Sequence, residues 1–300
     1  QAPSAPTAPE ALSGAATLSP WRTVFGGFLA APGGVFGVPA RPGSGAFVKL
    51  IAPMAIALSG NDLLIVDSGA GRVWRADLAL NTLTPIAGAP ATPGTAVALG
   101  PDLSAWVLDG VSRQTLRFAR DGRLLQSHRG VGVAASVAAF ALADGASTLL
   151  VADDSLRQWL EFRPVGAFAL SVRPSRADGR AVGGVDAIAS AGDTVYVLDR
   201  SAAVVHVVRR DGVVQGSLGE GELEQPVAIA ADRFGRVFVH DAQGGTVKVL
   251  RAGQPTQVFD AARLRVQVIG GIAVDERFLA VSDRLTGQVV IHQWRDAAGP

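Results

Sequence analysis

Residues 225–253 read QPVAIAADRFGRVFVHDAQGGTVKVLRAG. Apolar and polar side chains alternate along Arg236–Asp241 and again along Thr246–Leu250, and D-R-F-G and A-Q-G-G interrupt the runs. Period-two alternation over five or six positions, cut by such clusters, predicts short strands joined by tight hairpins. Five other stretches share the pattern: MAIALSGNDLLIVDSGAGRVWRAD from 54, TAVALGPDLSAWVLDG from 95, VAAFALADGASTLLVADD from 137, VDAIASAGDTVYVLDR from 185 and IGGIAVDERFLAVSDR from 269. Each has near its start a small residue, an apolar one and Ala, as in Ala228-Ile229-Ala230. Each then reaches an Asp ten to twelve residues beyond that Ala.

The six Asp residues are Asp67, Asp109, Asp153, Asp199, Asp241 and Asp283, spaced by 42, 44, 46, 42 and 42 residues. A fixed period of this length marks a repeat architecture. Four strands fit one period, for example 226–232, 236–241, 245–250 and 255–259. One four-stranded antiparallel sheet per repeat is a propeller blade, so the sequence predicts an all-β, six-bladed β-propeller. The small residues of each first strand suit a crowded central channel. The large residue between them is expected to face an adjoining blade, because packed sheets meet across ~10 Å.

The sixth copy has no fourth strand after Trp294. Residues 21–28, WRTVFGGF, alternate correctly and are expected to complete that blade and close the ring. The domain organisation is thus a tail over 1–20 and one propeller over 21–300. Its blades lie near 50–90, 91–130, 135–175, 183–220, 224–260 and 266–294.

Composition agrees with many short strands. The 300 residues are 48% apolar and 18% charged, with 36 Gly and 17 Pro, so the core is cut often by turns. Net charge is +1, from 27 basic and 26 acidic residues without like-charge runs, which provides no footprint for nucleic acid. The absence of Cys excludes disulfides, thiolate metal sites and Cys nucleophiles. No apolar run approaches the ~20 residues of a membrane span. The Ala/Pro/Ser-rich start, QAPSAPTAPEALSGAATLSPW, resembles the linker left by a cleaved signal peptide. The expected location is therefore periplasmic or extracellular, with a lipid anchor upstream of Gln1 as a variant of the same reading.

The copies resemble the NHL-repeat family, whose blades follow P-x-G-I-A-V-D, a Gly, then a strand ending in Asp. Pro226–Asp232 with Gly235 and Asp241 matches well, as does Gly271–Asp275 with Asp283. The other four copies keep the small-apolar-Ala triple and the final Asp. The resemblance spans roughly residues 50–294 and implies the propeller. Such propellers include binding scaffolds, RNA readers, lactonases and lyases, so the fold alone does not choose an activity.

A calcium-dependent lactonase of that kind would use Glu, Asn and Asp oxygens, and Asn61 and Asn81 are the chain's two Asn, both at hairpins of one copy. A zinc-dependent lyase would need converging His. His128, His206, His240 and His292 stand at different blade positions and are not expected to converge. GSLGEG at 216–221 leads from strand to strand, as a connector does, and no G-x-S-x-G elbow is present. RNA readers need concentrated positive charge and stacking aromatics, and aromatics are 6% here. No catalytic, cofactor-binding or metal-binding residue is therefore assigned.

The six Asp are read as turn anchors that accept N–H groups of the following hairpin, since they obey the internal symmetry that active sites break. The unrepeated part is residues 1–46. Its turn-rich segment 29–46 presents Leu29, Val35, Phe36 and Val38 as candidate partner-docking residues. The expectation is a non-enzymatic protein-binding scaffold of the bacterial cell envelope, an accessory subunit of an assembly such as a secretion or pilus machine. A channel-centred hydrolase or lyase is the alternative.

Overall fold

The computed structural model describes residues 17–30, 45–128, 137–143, 148–162 and 168–295. In chain order, β1 (Thr17–Val24), β2 (Gly26–Leu29) and β3 (Phe47–Lys49) precede the repeats. Blade one follows with β4 (Pro53–Ser59), β5 (Asp62–Asp67), β6 (Arg72–Asp77) and β7 (Thr82–Pro85). Blade two is β8 (Ala96–Leu99), β9 (Ala105–Asp109), β10 (Gln114–Phe118) and β11 (Leu124–His128). Blade three is β12 (Val137–Ala143), β13 (Thr148–Asp153), β14 (Gln158–Phe162) and β15 (Phe168–Val172).

Blade four is β16 (Ala187–Ala191), β17 (Thr194–Asp199), β18 (Val204–Arg209) and β19 (Val214–Leu218). Blade five is β20 (Pro226–Ala231), β21 (Val237–Asp241), β22 (Thr246–Leu250) and β23 (Gln257–Phe259), and one helical turn, α1 (Ala261–Leu264), leads onward. Blade six has β24 (Ile269–Val274), β25 (Phe278–Asp283) and β26 (Gln288–Arg295). The blades are antiparallel meanders, and the chain is an all-β six-bladed propeller.

The six large core clusters among the described residues each span one pair of neighbouring blades, and the small-apolar-Ala triple shows why. Its middle residue faces the preceding blade and its Ala faces the following one. Ala57 shares a cluster with Val97, Ala98 with Phe140, Ala141 with Ile188, Ala189 with Ile229, Ala230 with Ile272, and Ala273 with Ile56. The bulky residue of each blade thus lies over the methyl group of the blade before it. Two bulky residues at one seam would overfill it, and two alanines would leave a void.

An N-terminal strand closes the ring, but it is β1 rather than 21–28. β1 pairs antiparallel with β26 from Thr17↔Arg295 to Val24↔Val289. Trp21 lies on Phe278 with ring centroids 4.5 Å apart. Arg22 of β1 donates to the carbonyl of Leu78 and to Asn81 Oδ1, both in blade one.

The same seam carries Ser282 Oγ to Met54 O at 2.7 Å and Gly60 N–H to Asp275 Oδ2 at 3.0 Å. Gly271 replaces the usual Ala because a Cβ there would lie 2.5 Å from Met54 O. The alternation of WRTVFGGF conceals a break at Phe25, beyond which β2 leaves blade six. β2 runs parallel to β7 and antiparallel to β3, extending blade one to six strands in the order β3-β2-β7-β6-β5-β4. Gly26 permits this, since a Cβ would meet Val48 O at 2.2 Å.

Candidate functional site

The first strands converge on a central channel with a cavity at each end. One, of about 560 Å³, is lined by Leu58, Leu99, Leu142, Ser190 and Asp193 among others. The other, of about 600 Å³, opens where the chain leads into the blades, and its wall is the ring Ala55, Ala96, Ala139, Ala187, Ala228 and Gly271. Among the described residues, polar groups at this mouth are few. Ser68 Oγ donates to Ala52 O, Thr92 Oγ1 bonds Thr95 Oγ1 at 3.1 Å and donates to Asp109, and Asp186 Oδ2 accepts the Arg200 N–H at 2.8 Å. The Arg200 guanidinium donates from Nη2 to Val227 O at 2.8 Å.

Asp186 and Arg200 were not singled out from the sequence, although a signal exists. Asp186 precedes its blade's triple where other copies place Met54, Thr95, Val227 and Gly270. Arg200 follows its blade's Asp where others place Ser68, Gly110, Asp154, Ala242 and Arg284.

The six repeated Asp end the second strands of their blades, and only part of their bonding lies in the following hairpin. Asp67 accepts Ala70 N–H, but also Ile51 and Ala52 N–H at 2.9 Å each. Asp283 accepts Leu285 and Thr286 ahead and Gln267 and Val268 behind. Asp241 accepts Glu224 N–H at 2.9 Å, Gln225 N–H at 2.7 Å and Lys248 Nζ at 2.8 Å. Asp109 accepts Val111 N–H, Asp153 accepts Ser155 Oγ and Leu156 N–H, and Asp199 accepts Ser201 Oγ and Ala202 N–H. The backward bonds differ from a plain hairpin anchor because the segment leading into a blade passes beside the end of its second strand. One carboxylate there satisfies N–H groups that no strand pairs. Burial alone would raise the Asp241 and Asp283 carboxyls, but their donors together hold both below the usual carboxylate range.

The four His sit in four blades. His206 is buried on β18, with Nδ1 3.0 Å from Ser217 Oγ and Nε2 3.6 Å from Asp199 Oδ2. It stands seven residues after its Asp, as Lys248 does after Asp241. His292 Nε2 lies 3.0 Å from Leu264 O, and His128 stacks on Trp106. Among the described residues no three His, Cys, Asp or Glu side chains form a metal-ligand group. Asn81 Oδ1 receives Arg22 of the closing strand, and Asn61 accepts Leu78 N–H through its backbone carbonyl.

Burial pushes His240 down to about 4, against Asp241, which favours the charged form, with Arg284 adding to the depression. A His whose folded value lies below its unfolded one favours folding above the unfolded value, and that contribution is lost as pH falls through the folded value. Between roughly pH 6.5 and 4 this site is expected to withdraw about 3 kcal/mol. Urea unfolding at neutral pH and near pH 5 measures it. His240→Gln is expected to flatten the slope, and equal slopes in both proteins would refute the assignment.

Of the docking candidates, Leu29 ends β2 and is half-buried against the blade-one core. Val35, Phe36 and Val38 lie outside the described residues. The neighbouring extension exposes Phe25, Phe47 and Ile51, at 57%, 40% and 58%. The Phe25 and Phe47 rings lie 5.9 Å apart. No helix among the described residues is long and apolar enough to cross a membrane.

No protein-family model matches the chain, and no curated protein matches its sequence. Solved structures are similar in fold. A structural-genomics protein of unknown function from Bacteroides thetaiotaomicron aligns with TM-score 0.62 and 16% identity, covering 83% of this chain and 71% of that one. Virginiamycin B lyase from Staphylococcus aureus aligns with TM-score 0.57 and 9% identity over 82% of this chain and 96% of the lyase. A streptogramin B lyase aligns with TM-score 0.56 and 9% identity, covering 81% and 94%. At these identities the likeness is one of fold, and it places the chain among six-bladed propellers.

Proposed function

We propose that this propeller, of NHL-repeat type, is a non-enzymatic protein-binding scaffold exported to the bacterial cell envelope, where it serves as an accessory subunit of a larger assembly. The observation that carries the reading is where the chain departs from its own repeat. Blade one gains β2 and β3, and among the described residues β3 is the outer strand of that sheet, flanked by Phe25, Phe47 and Ile51. Exposed apolar residues gathered at an outer strand suit a protein partner. The channel wall, by contrast, is Ala and Gly with mostly self-satisfied polar groups. Among the described residues that arrangement brings together no converging acid, base or ligand set of the kind a lyase or hydrolase uses.

The test is the size of the native complex in the envelope fraction of the host. The wild type is expected in a complex well above monomer mass, and Phe25→Ser/Phe47→Ser is expected at monomer mass with an unchanged melting temperature. A wild-type protein that itself runs as a free monomer, or fractionates with the cytosol, would sink the proposal.

A further inference from the structure

The mouth of the channel at blade four breaks the ring's symmetry with two charged residues, Asp186 and Arg200, and the Arg200 guanidinium is the donor among them. Asp186 spends an oxygen on the Arg200 N–H at 2.8 Å, and the hydroxyls of Ser68, Thr92 and Thr95 are bonded within the chain. The Arg200 guanidinium makes one bond, Nη2 to Val227 O, and its other N–H groups have no protein partner among the described residues. The blade does not require this side chain, since the same place holds Ser68, Gly110, Asp154 and Ala242 in other blades. Arg284 supplies a second guanidinium at the equivalent place in blade six.

Below Arg200 lies the cavity of about 600 Å³, walled by Ala and Gly with Ile56, Val97, Phe140, Ile188, Ile229 and Ile272 behind them. Ligand sites of ~300–1,000 Å³ combine such an apolar wall with a few polar groups that fix orientation.

We propose that this mouth binds an amphiphilic monoanion, with a carboxylate head on the Arg200 guanidinium and a linear apolar tail along the channel wall. A guanidinium matches a planar carboxylate through paired charge-assisted bonds. Asp186, fixed in the same mouth, opposes a second negative charge and so disfavours dianionic phosphates. The ring of small residues leaves room for an unbranched chain along the axis.

Calorimetry with hexanoate, octanoate and octylamine tests the site in the full chain. Octanoate is expected to bind about tenfold tighter than hexanoate, because two methylenes are added to the buried tail. Octylamine is expected not to bind. Arg200→Gln, at an exposed position, is expected to keep the wild-type melting temperature and to weaken octanoate by at least about tenfold. Ala228→Leu, which fills the channel, is expected to abolish binding, and Arg200→Gln alone remains decisive if that variant does not fold. Absence of saturable octanoate binding at millimolar concentration, equal affinity in Arg200→Gln, or binding of octylamine as tight as octanoate would each overturn the proposal. None of these outcomes bears on the partner-binding edge of blade one.

Discussion

A chain beginning at Gly26 is expected to melt about 10–20 °C below the full-length protein and to aggregate on heating. The missing β1 is the fourth strand of blade six, paired over Thr17–Val24 with β26. It also carries the Arg22 bonds to Leu78 and Asn81 and the Trp21 packing on Phe278. At roughly 1 kcal/mol net for each ladder hydrogen bond, its loss costs about 5 kcal/mol before side-chain burial is counted. The edge left on β26 would expose unpaired backbone groups, a template for association. Arg22→Ala is the milder version, expected to cost about 1–2 kcal/mol through the lost clasp on blade one. Differential scanning calorimetry decides it. A truncated chain that melts with the full-length protein would show that the ring does not depend on β1.

Asp241→Ala is expected to destabilise the protein by about 3–5 kcal/mol, several times the cost of an exposed turn residue. The substitution strands Lys248, whose side chain is 11% exposed and whose remaining partner is the carbonyl of Glu222. It also leaves the Glu224 and Gln225 N–H groups without their acceptor. Because a buried cation without its anion is the largest part of that cost, adding Lys248→Met to Asp241→Ala should recover at least about 1 kcal/mol. Urea denaturation of the two singles and the double measures the coupling. A change below about 1 kcal/mol in Asp241→Ala would show that water replaces the carboxylate at little cost.

The local signals in this chain are strong because the repeat restates them six times. Period-two runs, G- and D-containing turns and six evenly spaced Asp are consequences of backbone geometry within about 42 residues. The strands, the blade number and the need for a closing N-terminal strand were therefore legible without coordinates. The candidate sites were legible less evenly. The Asp stood out by recurrence, whereas Asp186 and Arg200 are departures from the repeat, visible only when each copy is compared position by position. The His were recognised as scattered, but their depressed proton affinity depends on burial between blades.

What the alternation of residues cannot specify is which neighbour each face meets. A strand's two faces differ by one position, and in a propeller both are covered by sheets. The seating of Ile56, Val97, Phe140, Ile188, Ile229 and Ile272 on the preceding blade's Ala is thus a property of the closed ring. The backward reach of Asp67, Asp241 and Asp283 has the same origin, since it joins groups some sixteen residues apart that meet only once the blade is formed. Likewise WRTVFGGF reads as one strand, and its division between blades six and one is imposed by the two sheet edges on either side of the closing seam. Repetition along the chain established the blade and the number of blades. Packing around the ring assigned the faces, placed the closing strand and brought the Arg200 guanidinium to the mouth of the channel.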